Sequence, residues 1–342
     1  MDGCGKSLLH LRWGTGGFSS PLRSPSMNRL ENILVGLDLH HGDRIASDEL
    51  EEASQAALTQ AVELAKVHGA RLTLASILEL SEQAHHLIEV DRENLNRTVE
   101  DAAQADLNRH ADRLRAQGLT VDVLVRFGKA WEELTKQAQS GRHDLVLVGT
   151  RKRSSTARML FGSTSNKLLR NCPVPVWIAK PGEVRELREV LVASDFSESA
   201  LVATQAGVAV AAALNAKLFI LHALEFPFEA YLRTAGVSEQ EVANYRQRLH
   251  AEARQNLVDQ LQQTDHRTVQ AGVKIEVVEG QPDGVIPKFI DDNAIDLLVI
   301  ATQGRSGLTG VLLGNTVERI LPYARCSLLV TKPPGFVSPV KA

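Results

Sequence analysis

Residues 301–316 read ATQGRSGLTGVLLGNT and follow a short apolar run, Asp296–Ile300. Four glycines in sixteen residues leave a backbone with few Cβ atoms, which is what close approach to a phosphate requires. The loop ends in Gly314-Asn315-Thr316, where a new helix should begin. A helix N-terminus offers unpaired N–H groups and about half a positive charge, and Asn and Thr side chains add donors. No Gly-Lys-Ser/Thr follows, so this is not the familiar phosphate loop. A second stretch, GTRKRSSTARMLFGST at 149–164, has the same outline: Gly149, then Lys152, then Gly162-Ser163-Thr164. Two aspartates, Asp38 in LDLHHGD and Asp195 in SDFSESA, close other apolar runs and could accept hydrogen bonds from a ribose or an adenine amine. Together these groups make a nucleotide-site constellation of moderate specificity. An ordinary helix N-cap beneath a surface loop would show the same spacing.

The two loops belong to an internal repeat. Gly128 matches Gly280, Asp144 matches Asp296, Gly162 matches Gly314, and Lys180-Pro181 matches Lys332-Pro333, each pair 152 residues apart. Upstream, NILVGLD at 32–38 matches EVLVASD at 189–195 at an offset of 157, so about five residues are gained or lost between. The chain is therefore two copies of a module of roughly 150 residues, joined by PGEVRE at 181–186.

Within each copy apolar strands alternate with helical stretches. The first copy reads as ILVGLD, a helix over 48–69, RLTLASIL, a helix over 88–117, TVDVLVRF, a helix over 130–140, DLVLVG, a loop and helix over 150–171, and VPVWIA. The second reads as VLVASD, a helix over 198–214, KLFILHAL, a helix over 237–263, VKIEVVE, a helix over 284–292, LLVIA, a helix over 314–324, and SLLVTK. Near-continuous Val/Ile/Leu strands between helices imply a parallel sheet covered on both faces. The fold class is α/β: two tandem, doubly wound, five-stranded parallel-sheet domains. Ligands of such sheets bind beyond the carboxyl ends of the strands, where the strand order reverses. Both aspartates and both glycine loops lie at those ends.

A net charge of −3 argues against a chain dedicated to nucleic acid or an anionic membrane surface. No apolar run reaches the ~18 residues of a membrane span. Three cysteines without paired spacing give neither a disulfide framework nor a zinc site, and a reducing cytoplasm fits them. Burial beside the fifth strands explains Cys172 and Cys326. The pairs His40-His41 and His85-His86 have no third ligand at metal spacing and read as surface residues. Residues 1–27 read as a disordered extension or, equally, as sequence ahead of a true start at Met27. The domains then run over 28–181 and 187–334, with 335–342 as a tail.

The stretches VLVASDFSESA and GRSGLTGVLLGNTVERILPYARCSLLVTKP, with MLFGSTSNKLLRNCPVPVWIAKP in the first copy, resemble the universal stress protein family. The resemblance covers nearly all of 30–333 as two tandem family domains. It implies a Rossmann-like fold of the adenine nucleotide alpha hydrolase type and a cytoplasmic stress-response protein. It implies a choice between two classes, one binding ATP, with Mg²⁺, and one lacking that site. The ATP-binding class carries Gly-x2-Gly-x9-Gly-Ser/Thr after strand four. The second copy has Ala301 at the first glycine, Gly304 and Gly314 in place, and Asn315 before Thr316. The first copy has Gly149, Lys152 at the second glycine, and Gly162-Ser163. Carried over, the contacts of the second copy are Ser194, Asp195, Ala223, Ala301, Gly304, Arg305, Gly307, Gly314, Asn315 and Thr316. The weaker set of the first copy is Asp38, Gly149, Lys152, Gly162, Ser163 and Thr164. Ala301 adds one methyl group and Asn315 still donates, whereas Lys152 puts a long side chain where backbone should meet phosphate, so the second copy is the better site.

No nucleophile–base pair is visible, and we expect a binding protein rather than an efficient enzyme. The resemblance leaves slow ATP hydrolysis or autophosphorylation open. A nucleotide-free scaffold for a protein or a small apolar ligand is the alternative. The family dimerises along strand five, so VPVWIA and SLLVT are expected to pair within this chain as a pseudo-dimer, with a homodimer of whole chains as a further option.

Overall fold

The computed structural model describes residues 27, 29–39, 50–79, 92–150, 162–182, 186–226, 229–303 and 313–341, without the side chains of 92–98 and 229. The first copy runs β1 (Asn32–Gly36), α1 (Glu52–His68), β2 (Arg71–Leu78), α2 (Arg92–Arg115), β3 (Val121–Phe127), α3 (Ala130–Ser140), β4 (Leu145–Gly149), α4 (Ser163–Asn171) and β5 (Val176–Ala179). The second runs β6 (Glu189–Ala193), α5 (Glu198–Ala213), β7 (Lys217–Leu224), α6 (Glu229–Thr234), α7 (Glu239–Gln262), β8 (Val273–Glu279), α8 (Pro282–Asp292), β9 (Leu297–Ala301), α9 (Asn315–Ile320) and β10 (Ser327–Thr331). The alternation read from the sequence is present, and α6 is an addition that the pattern did not show.

Local chemistry sets the element ends. Small and apolar residues at Ala57, Ala61, Leu64 and Ala65 form the buried stripe of α1. The helix stops at Gly69, whose φ of 65° places it in the left-handed region and lets its N–H reach the Ala65 carbonyl. Helix α7 opens with a capping box in which Ser238 and Glu241 satisfy each other's backbone N–H groups.

The copies do not differ by one gap of five residues. The offset between matched positions is 157 at the first strands (Asn32, Glu189), 146 at the second (Arg71, Lys217) and 152 at the third (Val121, Val273). An insertion after β1 is thus offset in part by a longer crossover after β7, which accommodates α6. Two changes of opposite sign partly cancel, so an offset read from the outer motifs alone understates them.

Each half has its first strand between the second and the fourth, and the halves meet in one sheet ordered β3-β2-β1-β4-β5-β10-β9-β6-β7-β8. Every pairing is parallel except the central one, where β5 meets β10 antiparallel with Trp177 opposite Leu329. Both side chains are fully buried, and burying an indole removes a large apolar area from water. The expected pseudo-dimer is therefore built into the chain.

The repeated lysines cross this seam. Lys180 of the first copy donates to the Arg325 carbonyl, and Lys332 of the second donates to the carbonyls of Leu169 and Arg170 at the end of α4. A cation there complements the negative end of the helix. An Arg170–Glu318 ion pair at 2.5 Å joins α4 to α9. The lysines differ in environment: Lys180 is exposed, whereas Lys332 is 7% exposed and lies 4.5 Å from the Phe336 ring centroid. Burial pulls the Lys332 ammonium down to about 8 and pushes the thiols of Cys172 and Cys326 up to about 11 and about 12.

Candidate functional site

In the second copy, β6 lies between β7 and β9, so the strand order reverses beside it. Val192 pairs with Val299, and Ser194 and Ala301 each follow two residues later. The two segments therefore leave the sheet side by side. Ser194 is buried and committed to the fold. Its N–H donates to the Leu221 carbonyl at 2.9 Å and its hydroxyl donates to Gln260 Oε1 at 2.6 Å. The same hydroxyl accepts from the Phe196 N–H at 3.1 Å, and the Ser194 carbonyl accepts from His222 Nδ1 at 2.8 Å. Asp195 Oδ1 accepts from both the N–H and the hydroxyl of Ser197, at 3.1 and 2.6 Å. Ser197 in turn caps α5 by accepting from the Ala200 N–H at 3.1 Å.

Between them Phe196 has φ of 65°, a costly conformation for an aromatic residue, and its ring stacks on His222 with centroids 4.1 Å apart. Sequence reasoning singled out neither Phe196, His222 nor Gln260. The signal for Phe196 was present in SDFSE, directly after the selected Ser194 and Asp195, whereas Gln260 lies 66 residues from Ser194 and carries no local sign.

The glycine loop closes on its own strand. Ala301 ends β9, half-buried. The buried Thr302 donates its N–H to the Thr331 carbonyl at 3.0 Å and accepts at its carbonyl from the Gly314 N–H at 2.6 Å. A Cβ on Gly314 would stand 2.8 Å from that carbonyl oxygen, so close approach demands glycine here although φ is an ordinary −58°. Asn315 and Thr316 follow, both exposed on the first turn of α9, and a short 3-10 turn, Leu321–Tyr323, extends that helix. Ala223 is half-buried in β7 opposite Val278. Gly304, Arg305 and Gly307 lie outside the described residues.

The first copy arranges the matching positions differently. The Asp38 N–H donates to Ser54 Oγ at 2.9 Å, tying the end of β1 to α1. Gly149 is required by the fold: a Cβ there would lie 2.2 Å from the Ala53 carbonyl oxygen. The start of α1 therefore rests directly on the end of β4. Among the described residues Gly162 has no such neighbour, since none lies within 4 Å of where its Cβ would be. Thr150 is buried, and its hydroxyl has no partner among the described residues. Ser163 is exposed and Thr164 half-buried at the start of α4. Lys152 and the two histidine pairs fall outside the described residues. Among the described residues no group of three or more His, Cys, Asp or Glu side chains could hold a metal ion, and no helix is long and apolar enough to cross a membrane.

The universal stress protein family model matches residues 30–180 and again 186–332. The chain belongs to the universal stress protein family. As a tandem member it is 26% identical over 333 residues to universal stress protein E of Photorhabdus laumondii, covering 92% of this chain and 99% of that one. Universal stress protein E of Escherichia coli K12 is 25% identical, covering 92% and 98%. Among solved structures, a universal stress protein from Archaeoglobus fulgidus superimposes with a TM-score of 0.61 at 21% identity, covering 88% of this chain and 98% of its own. That likeness bears on the fold.

The residues of the second copy fit an adenine nucleotide. Gly314 lets the head of α9 close on the Thr302 carbonyl, and exposed Asn315 and Thr316 put donors at that helix start. A bound triphosphate would bring the electrophilic phosphorus and the affinity for Mg²⁺. The chain would contribute binding and orientation.

Proposed function

We propose that this chain is a cytoplasmic stress-response protein that binds an adenine nucleotide, ATP with Mg²⁺, in its second copy. The observation that carries the reading is the hydrogen bond from the Gly314 N–H to the Thr302 carbonyl, which holds the head of α9, with exposed Asn315 and Thr316, beside the end of β9. Anionic phosphates are the chemistry that such a helix head suits. The half-buried Asp195, and the Phe196–His222 stack at the neighbouring strand end, supply an acceptor and an apolar wall for the nucleoside. The role is binding rather than turnover, with the occupied state read by a protein partner.

The test is direct. Purified protein is denatured, and the released small molecules are separated by chromatography. In parallel, thermal unfolding is followed with added ATP and Mg²⁺. Released adenine nucleotide is expected, or an upward shift corresponding to about 2.7 kcal/mol at a hundredfold excess over Kd. Neither release nor a shift at millimolar ATP would leave the protein a nucleotide-free member of its family.

A further inference from the structure

Among the described residues the ten-stranded sheet has two outer edges, β3 and β8, and both carry the same device. In β8 the register with β7 turns the even-numbered residues inward, as shown by Leu218 N–H bonding to the Gly272 carbonyl and Gly280 N–H to Leu224. The carbonyls of Ile275 and Val277 therefore point out of the sheet. Arg254 Nη1 donates to the first at 3.2 Å and His250 Nε2 lies 3.3 Å from the second, both reaching down from α7. In β3 the carbonyls of Val121 and Val125 point outward by the same reasoning. Arg115 grips the first with Nε at 3.0 Å and Nη2 at 2.7 Å, and Arg126 Nη1 holds the second at 3.0 Å.

An edge strand offers a row of backbone groups to any passing strand. Here four of the outward acceptors are occupied, three by guanidinium groups and one by an imidazole. The residues responsible do not correspond between the copies, so two different solutions reach one result. The opposite edges of the same repeat, β5 and β10, show what the module does elsewhere: they pair with each other. We propose that Arg254 and His250 on β8, and Arg115 and Arg126 on β3, guard the outer edges against strand pairing with a second copy of this chain. Their side chains fill the acceptors that an incoming strand would need, and their charge and bulk stand in its path.

The test uses the full chain and light scattering after size-exclusion chromatography. Arg254→Ala/His250→Ala should give a mass that climbs with concentration towards twice the wild-type value, at an unchanged circular-dichroism spectrum. Arg254→Lys/His250→Gln keeps the donors and should behave as wild type. Adding Ile275→Pro to the double alanine variant should return it to the wild-type mass. The Ile275 N–H points outward and its loss costs this sheet nothing, whereas a docking strand needs it. A double alanine variant with wild-type mass at every concentration would overturn the proposal, as would a wild-type mass that falls on Ile275→Pro. Should the double alanine variant fail to fold, Arg115→Ala/Arg126→Ala makes the same measurement at the other edge, with the same two outcomes.

Discussion

After β9 the chain returns to its own strand: Gly314 bonds the Thr302 carbonyl, leaving no room for a Cβ. After β4, at the matching place, no described residue lies within 4 Å of a Cβ on Gly162. The glycine that is sterically indispensable in the first copy is instead Gly149, pressed against the Ala53 carbonyl of α1. Of the motif glycines described after the fourth strands, each copy thus keeps one pressed against backbone, but for opposite reasons. In the second copy it shapes a turn at a helix head. In the first it lets a helix sit on the sheet. A motif counted glycine by glycine treats these as equivalent, and their neighbours show that they are not.

That contrast can be broken by substitution. The largest effect is expected from Gly314→Val, which forces the Thr302 turn apart. A cost of ~1–3 kcal/mol for overpacking, if it falls wholly on binding, corresponds to roughly fivefold to a hundredfold in nucleotide Kd, measured by calorimetric titration. Gly162→Val should leave that Kd within about twofold. If the two variants lost affinity equally, the loops would be equivalent after all.

Gly149→Ala tests the other half. The methyl group collides with backbone rather than a flexible side chain, so a stability loss of about 1–3 kcal/mol is expected in urea titration. Nucleotide affinity should be unchanged. The mirror change, Ala301→Gly, should alter stability by less than about 1 kcal/mol.

The lysines sharpen the comparison at a smaller scale. Lys332 has a folded-state value depressed to about 8 from 10.5, so its contribution to stability is present above 10.5 and is lost as pH falls through 8. Cys172 and Cys326 have raised folded-state values, so theirs is present below 9 and lost as pH rises through about 11 and about 12. Stability should therefore climb only slightly from pH 8 to 9, where the two thiols offset most of the lysine's gain, and then decline. Lys332→Met should flatten the climb, while Lys180→Met, at the exposed partner position, should not. Chemical denaturation across that range reads both.

Much of this was legible in the sequence. Alternating apolar strands, the matched Lys-Pro pairs and the glycine offsets were enough to read two α/β modules, and the family resemblance implied that they meet along their fifth strands. Relations between distant residues were not legible. Nothing near Gly149 announces Ala53, and Ser194 gives no hint of Gln260. The opposed length changes after β1 and β7 partly cancelled in the count. The left-handed Phe196 escaped because an aromatic residue is a poor sequence signal for positive φ. The different burial of Lys180 and Lys332 escaped because their motifs are identical.

The central claim is that one loop of the two is built for a nucleotide. A calorimetric titration of the full chain with ATP and Mg²⁺, after removal of any co-purified nucleotide, measures this as a stoichiometry. The account predicts one nucleotide per chain. Two equal sites per chain, or no binding at millimolar ATP, would contradict it.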